Sequence, residues 1–155
     1  EVATVNDKKT YGQGLVNAFT EEYTKLGGKI TAAETINPDD DKYDAVISKI
    51  KPSNPKAVYY GGEYPQAGPF SQQMKAAGLN VPLMGGDGIK SDKYFDLAGA
   101  TGEGDLSTAI GAPTETTRAP PVLRMARREK FTDFSILVMT ASLNPSSRRR
   151  AGRRR

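Results

Sequence analysis

The chain has 155 residues, no cysteine and no histidine, and a net charge of +4. That length suits one domain with a real core. The composition excludes disulfides and thiolate chemistry, and it removes the commonest general base and metal ligand. The charge is unevenly placed. Residues 1–117 hold 11 lysines, no arginine and 16 acids, a balance of −5, whereas residues 118–155 hold 10 arginines and Lys130 against Glu129 and Asp133, a balance of +9. The basic character therefore belongs to the C-terminal segment.

The elements alternate along the body of the chain. "VATVN" predicts a first strand. Leu15, Ala18, Phe19, Tyr23 and Leu26 recur at helical spacing, and Gly27-Gly28 stops that helix. "KITAAETI" predicts a second strand. Tyr43, Val46, Ile47 and Ile50 form the stripe of a second helix. The acids Asp39-Asp40-Asp41 are expected at its positive N-terminus, and "KPSNP" ends it. "AVYY" predicts a third strand running into Gly61-Gly62. Phe70, Met74 and Ala77 mark a third helix closed by Gly78. "VPLMGG" reads as a fourth strand, "SDKYFDLAG" as a fourth helix capped by Ser91, and "EGDLSTAI" as a fifth strand. The βαβαβαβαβ pattern predicts an α/β fold in three α/β/α layers around a parallel, flavodoxin-like sheet. No stretch is long and apolar enough to span a bilayer. The start, "EVATVN", lacks the basic and apolar regions of a signal peptide, as expected of a mature or excised segment.

Ligands of such sheets bind beyond the carboxyl ends of the strands, at the switch in strand order. With the order 2-1-3-4-5, the loops Asp7 to Gly12, Gly61 to Pro65 and Gly85 to Gly88 share one crevice. Several chemistries can be tried there. Gly12-Gln13-Gly14, with Glu34 further on, supplies part of a dinucleotide fingerprint. However, Asn17 takes the third glycine position, and the strand ends too far from Gly12 for the tight turn. No Gly-Lys-Ser/Thr phosphate loop and no G-x-S-x-G elbow occurs. Asp7, Glu63 and Asp87 admit three readings: an acid/base or metal cluster, solvated carboxylates at strand ends, or a carboxylate that binds an amine. Nothing in their spacing demands a cluster; the solvated reading is better supported than a metal site, and the amine site lies between them.

The strings "DKKTYGQGLVNAF", "NPDDDKYDAVISKIKPSNPKAVYYGGEYPQAGPFSQQMKAAGL" and "PLMGGDGIKSDKYFDLAGATGEG" occur in order. Together they resemble the branched-chain amino-acid (leucine/isoleucine/valine) substrate-binding proteins of ABC importers, which have the type I periplasmic-binding fold. The resemblance runs from about Val2 to Glu115 and covers most of the second lobe of a two-lobed clamp. It implies no enzymatic activity, no cofactor and no metal. It implies an amino-acid ligand, a membrane permease as partner, a monomeric state and an extracytoplasmic location. It also implies ligand-binding roles for Tyr11, Glu63, Tyr64 and Asp87. Tyr11 would close over the amino acid. Asp87, where the family often has glutamate, would pair with its α-ammonium. Glu63 stands where the family commonly has tyrosine, which argues against a purely aliphatic specificity.

The segment from Thr116 to Arg155 departs from that family. Arginine, proline and serine replace lysine, aspartate and tyrosine in "TTRAPPVLRMARREKF" and "NPSSRRRAGRRR". We expect residues 1–115 to form the ligand-binding lobe and residues 116–155 to be a disordered or irregular tail. The composition jump suggests translation in a shifted frame, which comparison of the three coding frames tests. The alternative is a sensing or regulatory protein of the same fold whose basic tail contacts nucleic acid. We do not favour a nucleic-acid partner.

Overall fold

A computed structural model describes residues 1–109. The tail from Thr116, and Ile110 at the end of the expected fifth strand, lie outside the described residues. Among the described residues there are five parallel strands: β1 (Val2–Asn6), β2 (Ile30–Thr35), β3 (Ala57–Gly61), β4 (Leu83–Gly85) and β5 (Leu106–Ser107). The helices between them are α1 (Thr10–Lys25), α2 (Asp44–Ile50), α3 (Tyr64–Ala76) and α4 (Asp92–Ala98). The sheet order is β2-β1-β3-β4-β5, as the flavodoxin-like pattern predicts. No helix among the described residues is long and apolar enough to cross a membrane.

Strand alternation explains the layering. Ala3 and Val5 of β1 and Val58 and Tyr60 of β3 enter one cluster with Ile47, Ile50, Phe70, Met74 and Tyr94 of α2, α3 and α4. Val2, Ala57 and Tyr59 point the other way, onto Val16 and Phe19 of α1. All five residues of β3 are buried, as expected of a central strand covered on both faces. The Phe19 and Tyr59 rings stack at 3.8 Å.

The helix faces correct the sequence reading in detail. On α1 the buried positions are Gly12, Val16 and Phe19; Ala18 is exposed, and Leu26 lies 73% exposed beyond the helix end. Ala77 is likewise exposed after α3. Asp39 to Asp41 do not reach the N-terminus of α2, where Asp44 stands instead. The Asp40 carboxylate accepts the backbone N–H and the side-chain amide of Asn37, and its carbonyl accepts the Tyr43 hydroxyl. The Ser91 cap is as expected, its hydroxyl accepting from the Lys93 N–H.

The fifth strand is shorter than its apolar pattern suggests, and Asp105 immediately precedes it. This carboxylate is fully buried. One oxygen accepts from Ser71 Oγ at 2.6 Å and from the Tyr94 hydroxyl at 2.5 Å. The other accepts from Lys75 Nζ at 2.6 Å and from the Leu83 N–H at 2.8 Å. Lys75 also donates to the Thr101 carbonyl. A buried carboxylate persists only when its lone pairs are met. Here α3, α4 and β4 all meet at it. Burial, and then the Asp105 charge, push the Tyr94 hydroxyl well above the ordinary tyrosine range, so it stays a donor.

Candidate functional site

Strand register brings three loops to one edge. Asn6 pairs with Gly61 and Tyr60 with Gly85, so β1, β3 and β4 end nearly flush. Backbone contact then draws the loops together. A side chain on Gly12 would meet the Gly61 carbonyl oxygen at 2.4 Å and Asp7 Oδ1 at 2.2 Å. A side chain on Gly88 would meet the Gly62 carbonyl oxygen at 2.7 Å. Glycine is therefore required where α1 crosses the end of β3 and where the β3 and β4 loops touch. Nothing lies within 4 Å of the corresponding position at Gly14, so the second glycine of "YGQG" has no such duty.

Tyr11 rises from the first turn of α1 and is 43% exposed. Its hydroxyl donates to Asp87 Oδ1 at 2.5 Å and accepts the Gly88 N–H at 3.2 Å. Partial burial, then the hydrogen bond to Asp87, push its pKa up to about 12, with the Gly88 N–H opposing. Tyr11 is thus a fixed neutral donor, and Asp87 keeps its second oxygen free of any donor among the described residues.

Glu63 precedes α3 in extended backbone, makes no side-chain cap, and stands 3.8 Å from Lys9 Nζ. Tyr64, the first residue of α3, is half-buried against the core cluster beneath. No hydrogen bond ties it to Tyr11, Glu63 or Asp87 among the described residues. The structure therefore groups Tyr11, Asp87 and Glu63 on one wall and sets Tyr64 under it.

Asp7 does not join them. It is fully buried, with Oδ1 accepting the Lys9 N–H at 3.1 Å. Its Oδ2 and the Tyr60 hydroxyl are buried without a hydrogen-bond partner among the described residues. Burial, and then Asp7, push the Tyr60 hydroxyl well up. No group of three or more acids that could hold a metal occurs among the described residues. Sequence reasoning missed Lys9 as the partner of Glu63 and the Gly88 N–H as a support of Tyr11, since neither side-chain reach nor loop shape is periodic.

A switch-point edge with an exposed carboxylate and a phenol fits a small polar ligand. The family model described as periplasmic binding protein matches residues 1–127. The chain belongs to that family. The Leu/Ile/Val-binding protein homolog 1 of Brucella melitensis is 38% identical over 108 residues, which are 70% of this chain and 29% of that protein. The crystal structure of the leucine-binding protein LivK of Thermotoga maritima superposes with a TM-score of 0.65 at 29% identity, covering 68% of this chain and 30% of that one. The substrate-binding protein LivJ of Streptococcus pneumoniae, solved in complex with isoleucine, gives 0.60 at 30% identity, covering 64% and 28%. The chain thus spans about three-tenths of the length of these relatives. The parallel five-stranded sheet is that of type I periplasmic binding proteins, and the relatives are solute-binding proteins of amino-acid transport.

Proposed function

We propose that this lobe is one wall of an amino-acid clamp of an ABC importer, working outside the cytoplasm with a membrane permease, as a monomer and without catalysis. The Tyr11–Asp87 pair at the switch-point edge carries the reading. Tyr11 uses its proton on one Asp87 oxygen, which fixes the carboxylate and leaves the other oxygen to accept from an α-ammonium. Asp87 itself is exposed beside the partly exposed Gly88. Tyr64 is assigned a supporting place under the wall.

In a two-lobed clamp the other lobe would close over the ligand, exclude water and strengthen the charge pairing. On one open wall an ion pair contributes about 0–1 kcal/mol. Micromolar affinity needs roughly 8 kcal/mol. The 155-residue chain is therefore expected to bind weakly. Residues 116–155 have no part in this proposal, and resumption of the family pattern in another coding frame would support the frame-shift origin.

The test is a nuclear magnetic resonance titration of the 155-residue chain with leucine, isoleucine and valine. The expected result is shifts of the Gly62, Asp87 and Gly88 amides that grow across tens of millimolar ligand without saturating, and no saturable calorimetric heat at micromolar concentrations. Silent amides at millimolar ligand would overturn the site, and clear micromolar binding would overturn the one-wall reading.

A further inference from the structure

Glu63 is an unspent charge on this wall. It occupies the N-cap position of α3, where a side-chain oxygen could take a helix N–H, yet it makes no cap. Its carboxylate accepts no hydrogen bond among the described residues. The acids Glu21, Glu22 and Glu34, by contrast, each accept from a lysine at 2.7 to 3.0 Å. Lys9 stands 3.8 Å away, an ion pair without a hydrogen bond, and both side chains are about half exposed. The neighbouring Lys8 is committed to Asn37 at 2.6 Å and does not compete.

The position of Glu63 relative to Asp87 is fixed by backbone. Gly62, just before Glu63, lies against Gly88, just after Asp87, and the Tyr11 ring covers Gly88. The Tyr11 hydroxyl feels the charge of both carboxylates. Two acids thus flank one aromatic ring on a rigid loop pair. With its α-ammonium on Asp87, an amino acid could lay its side chain across Tyr11 toward Glu63. A purely aliphatic side chain would leave that carboxylate to be desolvated without a partner on closure, which is costly.

We propose that Glu63 selects amino acids whose side chain ends in a cation, with Lys9 filling that place when no ligand is bound. This rests on the proposed amino-acid site and adds its substrate class. An arriving guanidinium or ammonium replaces Lys9 against Glu63, and a guanidinium makes the two-pronged contact that the Lys9 ammonium does not. No bond is made or broken.

Arginine and citrulline separate the idea from the site it rests on, because they share shape and differ in side-chain charge. The amide shifts of Gly62 and Gly88 are followed in the 155-residue chain at low salt, with leucine as reference. The expected result is arginine binding tighter than citrulline by up to about fivefold, the upper end for an exposed ion pair. Glu63→Gln should bring that ratio to one, with leucine still shifting the Gly62 and Gly88 amides. Lys9→Gln should widen it, and added salt should shrink it. Equal affinities for arginine and citrulline, a ratio that survives Glu63→Gln, or one that Lys9→Gln fails to widen overturns the assignment of Glu63 while leucine still reports the site. No shift with any of the three ligands overturns the site itself, and this proposal with it.

Discussion

Removal of the Asp105 carboxylate should be the most damaging single change within residues 1–109. Asp105→Ala strands the Lys75 ammonium, whose side chain is 14% exposed, together with the Ser71 hydroxyl, the Tyr94 hydroxyl and the Leu83 N–H. Breaking a buried ion pair from one side costs about 3–5 kcal/mol. That is a large share of the 5–15 kcal/mol that holds a domain together. Asp105→Asn should cost less, about 1–3 kcal/mol. Its remaining oxygen can face Lys75 and the Leu83 N–H, while the two hydroxyls turn to accept from the new amide. Urea unfolding followed by far-ultraviolet circular dichroism gives the shift in midpoint at unchanged slope. A cycle with Lys75→Met adds a second check. The double variant Asp105→Ala/Lys75→Met should be less damaged than the sum of the singles, because no unpaired ammonium remains. A loss below about 1 kcal/mol for Asp105→Ala, the scale of an exposed pair, would refute the four-donor account.

Three further expectations follow from the site and its support. Asp87→Asn should weaken leucine binding in the amide titration by up to about fivefold on the open wall, whereas Asp92→Asn, exposed in the first turn of α4, should not; equal affinities would remove Asp87 from the site. Gly12→Ala should destabilise by about 1–3 kcal/mol, since its new methyl meets the Gly61 carbonyl and Asp7. Gly14→Ala, in open space on the same helix, should stabilise by roughly 0.5–1 kcal/mol, and thermal unfolding of the two variants with opposite signs would check the pair. Burial pushes the Tyr59 pKa from 10.0 to about 12. Its contribution to stability is then complete below pH 10 and lost as the pH rises to about 12, because the unfolded chain releases the proton first. Tyr59→Phe should flatten that alkaline loss in denaturant titrations, and an unchanged slope would count against it.

The strand order and the loops that share the edge were legible in the sequence because they rest on alternation. Ala3 and Val5 face one layer and Val2 the other, and helices intervene between successive strands. The phase of each helix was less so. On α1 the run from Leu15 to Leu26 contains enough apolar residues to draw more than one stripe, and packing on β3 chose Val16 over Ala18. Tyr11 and Asp87 were found through the family resemblance and are joined in the structure by a hydrogen bond 76 positions apart in sequence. Asp105 was missed because a buried acid at a strand start looks like a solvated one until its four donors, brought from three other elements, are seen together.

The loop contacts at Gly12, Gly61, Gly62 and Gly88 carry a consequence for how such a receptor can change its cargo over time. The shape of the wall is set by main chain pressed on main chain, where almost any side chain would collide. Of the groups offered outward, Glu63 makes no hydrogen bond among the described residues and only a loose pair with Lys9. On the proposed site, drift at position 63 is cheap for the fold and is felt in the choice of solute, while drift at the glycines is the reverse. A lineage built on this lobe could trade one nutrient for another through a single exposed codon and keep its architecture intact.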